Sequence, residues 1–153
     1  MFARALIAFL VLPGVVAFLA PLAWVWLARI PVRWPVGLVL VALGSVALLW
    51  CVRDFHVSGK GTLAPWAPPQ HLVVVGLYRY SRNPMYLAVG VILSGWAVVF
   101  RSTALLAYAL AVVVAFHLRV VLGEEPWLAR RHGAAWQQYT RRVGRWFRIG
   151  PGR

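Results

Sequence analysis

Four long apolar stretches leave this chain little choice of architecture. Residues 5–28, 36–52, 85–100 and 103–122 carry one formal charge between them, on Arg119. In lipid every backbone N–H and C=O must be paired within the protein, so segments of this kind span as helices. Charged residues make up 12% of the chain, against about 25% in soluble domains. A soluble fold is thereby excluded, and the expected class is all-α: a polytopic integral membrane protein of about four transmembrane helices. The 16 residues of 85–100 make only about 24 Å of helix against a core of about 30 Å. That helix must start earlier, thin the bilayer or pack in a tight pair. Arg101 and Ser102 alone separate the last two spans, which therefore form a helical hairpin. A cleaved leader is weighed against by the length of the first apolar run and by Pro21 directly after Ala20.

Charge fixes the expected orientation. Sixteen basic residues face three acids, Asp54, Glu124 and Glu125, for a net charge of +13. In a soluble protein this would suggest nucleic acid. Beside apolar spans it points to basic loops on an anionic, cytoplasmic leaflet, with membrane lipids as partners and no nucleic acid. Four spans put both ends on one side, and that side holds thirteen basic residues; Arg29, Arg33 and Arg101 are left for the other. Both termini are expected in the cytoplasm, most simply at a bacterial inner membrane. The lone Cys51 excludes an intrachain disulfide, and the four histidines lack metal-ligand spacing. No metal is expected.

The chain reads as one membrane domain over 1–153, with two N-terminal spans in 1–54 and a core in 55–148. The connection 54–83 is long and broken by Gly59, Gly61, Pro65, Pro68, Pro69 and Gly76; long irregular connections are often functional. After the last span, 126–143 reads as an amphipathic cytoplasmic helix, with Leu128, Ala135, Trp136, Tyr139 and Val143 near one face and Arg130, Arg131, Gln137, Arg141 and, just beyond it, Arg145 on others. An interfacial helix on anionic lipid has this pattern.

Two clusters carry chemistry. Glu124 and Glu125 stand together just past a span. They either pair with Arg119, Arg130 or Arg131 on neighbouring turns or recognise a cationic or hydroxyl-bearing ligand. The other cluster is Gly76-Leu77-Tyr78-Arg79-Tyr80-Ser81-Arg82-Asn83-Pro84-Met85-Tyr86. Asn83 suits an N-cap and Pro84 the first helical position. Helix-start amides and the Arg82 fork favour a carboxylate or phosphate, and Tyr78 and Tyr86 add flat faces and hydroxyls. A juxtamembrane belt of Arg and Tyr has the same composition. Both clusters flank one hairpin, so a zwitterionic ligand with hydroxyls would fit between them.

These residues resemble the isoprenylcysteine carboxyl methyltransferase family of integral membrane methyltransferases, to which phospholipid methyltransferases are related. The family's Gly-x-Tyr-Arg-x-x-Arg-(His/Asn)-Pro-x-Tyr segment is matched by Gly76, Tyr78, Arg79, Arg82, Asn83, Pro84 and Tyr86. Its later Glu-Glu-x-x-Leu pattern, with a Gly, a Tyr and a basic-Val pair beyond, is matched by Glu124, Glu125, Leu128, Gly133, Tyr139, Arg142 and Val143. The loop from Gly61 to Trp66 is similar to that of bacterial members. The likeness covers about 55–148. Val74 stands where the family has Thr, and Asn83 where eukaryotic members have His.

The resemblance implies S-adenosylmethionine as cofactor, held by Gly76, Leu77, Tyr78, Arg82, Asn83, Pro84, Tyr86, Glu124, Glu125 and one of Gln70 and His71. It implies Arg82, Arg142 and Glu124 as the catalytic set. The acceptor is then a lipid-like or prenylated molecule entering from the bilayer. The scarcity of acids tilts its nucleophile toward a carboxylate or thiol type, with a phospholipid amine as the alternative. Two other classes compete: a membrane reductase using a nicotinamide cofactor, whose phosphates the C-terminal arginines would bind, and a non-enzymatic scaffold, which would tolerate loss of both glutamates.

Overall fold

The computed structural model describes residues 10–59 and 71–147. Lys60, the loop from Gly61 to Trp66, and Gln70 lie outside the described residues. Among those described, all regular structure is helical. Helix α1 begins as a π-helical stretch, Leu10–Leu19, and continues as an α-helix, Ala20–Leu27. Helix α2 is Gly37–Gly59, α3 is Pro84–Phe100 and α4 is Thr103–Arg119. A π turn, Val120–Glu124, carries α4 into α5, Glu125–Arg142. A single 3₁₀ turn, Gly76–Arg79, precedes α3. Two segments, Gly37–Ser58 and the helix from Thr103, are long and apolar enough to cross a membrane; Pro13–Leu27 and Pro84–Phe100 are apolar but shorter.

Proline explains how α1 is held. Pro21 has no N–H, so the carbonyls four and five residues back lose their helical donor. Those are Ala17 and Val16, and other helices supply what is missing. Trp96 Nε1 donates to the Ala17 carbonyl at 3.0 Å, and the Tyr108 hydroxyl donates to the Val16 carbonyl at 3.0 Å. Ala17 is wholly buried and sits in the central core with Val41, Leu48, Ala88, Val89, Ile92, Leu93 and Ala109.

The shortness of α3 is met by tight pairing with α2. A side chain on Gly95 would stand 2.8 Å from the Val41 nitrogen, and one on Gly44 would stand 2.9 Å from the Ala88 carbonyl. Small residues let helix backbones approach this closely in the absence of a hydrophobic force between helices. The far end of α3 is capped from outside: the Arg33 and Trp34 amides both donate to the Val99 carbonyl, at 2.9 and 3.0 Å. Arg101 takes the left-handed conformation (φ 47°) that ends the helix, and its guanidinium lies over the Trp34 ring. Ser102 then caps α4 by accepting the Leu105 amide at 3.3 Å. The expected two-residue hairpin is present.

Three expectations are corrected. Helix α2 runs to Gly59 rather than ending at 52, so Asp54 belongs to the helix and not to the connection. No proline interrupts these residues before Pro65, and Phe55 packs on Tyr78 with ring centroids 5.5 Å apart, which keeps the extra turns wound. The last span and the amphipathic helix are joined rather than separate, because the π turn continues the backbone bonding up to Glu125, whose amide donates to the Val120 carbonyl; the direction changes further on, at Gly133, whose φ of 46° lies outside the helical region. The apolar face of α5 is real, with Trp136, Tyr139 and Val143 buried, but it meets Leu72 and Leu128 in a protein core. Ala135 is exposed.

Candidate active site

The segment leading into α3 and the segment around α5 are stitched together mainly through backbone. The Arg82 amide donates to the Gly144 carbonyl at 3.0 Å. Ser81 Oγ and Asn83 Nδ2 both donate to the Arg145 carbonyl, at 3.3 and 3.1 Å. The Tyr139 hydroxyl donates to the Tyr78 carbonyl at 2.7 Å. Asn83 therefore spends its side chain on the C-terminal segment and makes no side-chain cap, although Pro84 does open the helix as expected. Trp146 stacks on His117 and donates to its Nδ1 at 3.2 Å, tying the same segment to α4.

Both glutamates face this seam. Glu125 holds two arginines: Arg82 Nη1 lies 2.9 Å from Oε1, and Arg145 Nη2 lies 2.7 Å from Oε2. The Arg82 and Glu125 side chains are only 13% and 15% exposed, so this is an ion pair in a largely dry setting. Burial holds the Arg82 guanidinium below its ordinary range despite Glu125, whereas the hydrogen bond from Glu125 holds Arg145 above its own. Arg82 also lies over the Trp136 ring, 5.5 Å from its centroid. Its Nε is buried with no hydrogen-bond partner among the described residues. Glu124 accepts a short hydrogen bond from the Tyr86 hydroxyl and another from Arg119 Nε at 2.7 Å. Tyr86 stacks on Phe116 with centroids 4.4 Å apart. Pairing with a neighbouring arginine was thus anticipated for Glu124 with Arg119. For Glu125 the partners come from across the fold instead of from Arg130 or Arg131.

Gly76 and Tyr78 form the floor below. Gly76 has φ 56°, a conformation that disfavours any side chain, and the Asp54 carboxylate fills the space a Cβ would need. Tyr78 is buried with Cys51 and Val73, against Leu77 and Met85, and burial raises its hydroxyl well above the usual tyrosine range. The structure thus brings Gly76, Leu77, Tyr78, Arg82, Asn83, Pro84, Tyr86, Glu124 and Glu125 into one region. His71 is exposed at its margin, and Arg142 is exposed on the last turn of α5. The guanidinium that reaches Glu125 belongs to Arg145, three residues further on.

Asp54 and Arg145 were not singled out by sequence reasoning. For Arg145 no local signal distinguishes it from the other C-terminal arginines. For Asp54 the signal was available: it is the one acid placed beside a span and apart from the glutamate pair. An open apolar recess of about 600 Å³, lined by residues such as Leu22, Val25 and Trp26, lies at the opposite end of the helices and carries none of these groups.

A model of the phospholipid methyltransferase family matches residues 32–135. The chain belongs to that family. No curated protein and no solved structure matches it. As a phospholipid methyltransferase family member it is a membrane methyltransferase in class. The family shown is the relative named second in the sequence comparison, and its match reaches back to take in all of α2. It stops short of Tyr139, Arg142 and Arg145.

Proposed function

We propose that this chain transfers a methyl group from S-adenosylmethionine to a lipid-like acceptor, within a four-span protein whose termini are both cytoplasmic. The observation that carries the reading is the Arg82–Glu125 joint, which brings the two chemistry-bearing segments, 38 residues apart in sequence at their nearest, into one partly buried seam. The residues fit the cofactor on one specific count. Arg82 Nε is a buried donor without a partner, and a carboxylate such as that of the cofactor's amino-acid end would satisfy it.

In this reading Gly76, Leu77, Tyr78, Arg82, Asn83, Pro84 and Tyr86 hold the cofactor, with Glu124, Glu125 and one of Gln70 and His71 completing the contacts. When bound, the cofactor supplies a methyl group already activated on a sulfonium. What remains for the protein is alignment and exclusion of water. Glu125 grips Arg82 from one side and Trp136 covers it from another, so the fork is held in place before any ligand arrives. Tyr86 and Phe116 form an aromatic wall suited to a flat or cationic group. A carboxylate or thiolate acceptor needs no base, and Arg82 and Arg142 would orient it. An amine acceptor must lose a proton, and Glu124 is then the acceptor of that proton. The family description, phospholipid methyltransferase, fits the amine equally well.

Calorimetry on the full chain in lipid nanodiscs tests the class. Binding of S-adenosylmethionine without binding of NADPH is expected. The reverse would establish the reductase alternative, and binding of neither would favour a scaffold. Labelled cofactor incubated with lipid extracts would then show whether the label appears on an amine headgroup or as an ester or thioether.

A further inference from the structure

The chain has three acids, and the seam just described neutralises two. Glu124 accepts from Tyr86 and Arg119, and both oxygens of Glu125 are held by arginines. The third, Asp54, is 6% exposed, and its Oδ2 has no hydrogen-bond partner among the described residues. Among the described residues it has one ion-pair contact, with Arg53, 3.9 Å from the other oxygen and 73% exposed, which leaves that arginine largely solvated. A buried carboxylate oxygen left in this condition is rare, because buried polar groups are almost always paired.

Its position gives it a use. The carboxylate takes up the space that a side chain on Gly76 would fill, and the Trp50 indole Nε1 lies 3.1 Å from that same point. Gly76 opens the segment that runs through Tyr78 to Arg82, and its φ of 56° suits only glycine comfortably. Two features of the sequence, a left-handed glycine and a helix extended to carry an acid, thus converge on one carboxylate oxygen. Cys51, Tyr78 and Phe55 surround the spot with apolar surface. Attraction to a positive charge is stronger there than in water.

We infer that Asp54 receives the positively charged group of the bound ligand: an ammonium, carried either by the amino-acid end of the cofactor or by an amine headgroup of the methyl acceptor. This rests on the methyltransferase reading above and adds Asp54, as the group that meets the positive charge, to the contacts given there to Glu124 and Glu125.

The test uses the full chain in nanodiscs and compares wild type with Asp54→Asn, which keeps the side-chain shape. Calorimetry measures affinity for S-adenosylhomocysteine and for its deaminated analogue; a transfer assay measures KM for phosphatidylethanolamine. If the ammonium is the cofactor's, wild type prefers the amino-bearing ligand by tenfold or more and Asp54→Asn binds both alike. If it is the acceptor's, cofactor affinity is unchanged in Asp54→Asn and KM for the amine lipid rises tenfold or more. An Asp54→Asn protein within twofold of wild type in all three measurements overturns the assignment. Should that variant not fold, wild type decides: equal affinity for the two cofactor analogues together with equal KM for amine- and hydroxyl-headed lipids overturns it as well. Failure of wild type to bind S-adenosylhomocysteine at all overturns the methyltransferase reading itself, a result distinct from the other two.

Discussion

Arg82 concentrates the site's chemistry in one side chain. Its fork meets Glu125, its plane lies over Trp136, and its Nε is unpaired. Lysine would keep the charge and lose the planar geometry. Arg82→Lys is therefore expected to lower methyl transfer tenfold or more, while Arg79→Lys, on an exposed side chain, stays within twofold; equal mild losses would remove Arg82 from the site. Glu125 is expected to matter for stability as well. Removing one member of a buried ion pair typically costs about 3–5 kcal/mol, so Glu125→Gln should melt well below wild type, and combining it with Arg82→Met should restore part of the loss. Much of this was legible beforehand: the spacing from Gly76 to Tyr86 and the Glu124-Glu125 pair marked the right segments. What the sequence could not show was who holds whom. Arg145 reaches Glu125 only because the backbone of residues 144 and 145 is bonded to Arg82, Ser81 and Asn83, a contact that no local pattern encodes.

The helices were easier to read than their ends. Apolar runs located all four, since in lipid only a helix satisfies the backbone of such a run. Boundaries slipped where tertiary contacts override composition: α2 is lengthened by Phe55 packing on Tyr78 and by burial of Asp54, and the π turn erases the break expected after residue 122. The tight α2–α3 pair was one of three ways anticipated to accommodate a short helix, and it yields a sharp expectation. Gly95→Val would force a side chain against the Val41 backbone, and overpacking of this kind costs about 1–3 kcal/mol. Gly90→Ala is the control, since a Cβ there finds only ordinary contact with Val113 at 3.6 Å. Thermal melting in detergent should separate the two; similar midpoints would mean that the helices can move apart at no cost.

At the scale of the whole molecule the question is which way the protein sits. The thirteen-to-three division of basic residues predicts that a reporter fused after Arg153 is active in the cytoplasm, as is one fused before Met1. A C-terminal reporter that is active only on the far side would overturn the four-span arrangement and separate the glutamates from any cytosolic ligand. The seam between the segment entering α3 and the segment leaving α5 also has a history in time. Chains grow at about 5–20 residues per second, so roughly 2–9 s pass between synthesis of Arg82 and synthesis of Glu125. During that interval Arg82 has no Glu125 to hold it and is simply a cation beside an emerging apolar helix, free to stay in water at the membrane surface. Once the later segment arrives, the same guanidinium is withdrawn from water into the site. In the reading proposed above one side chain would thus first direct insertion and afterwards serve recognition, and a substitution there would be exposed to two separate failures: a chain that threads wrongly, and a chain that threads correctly but cannot bind.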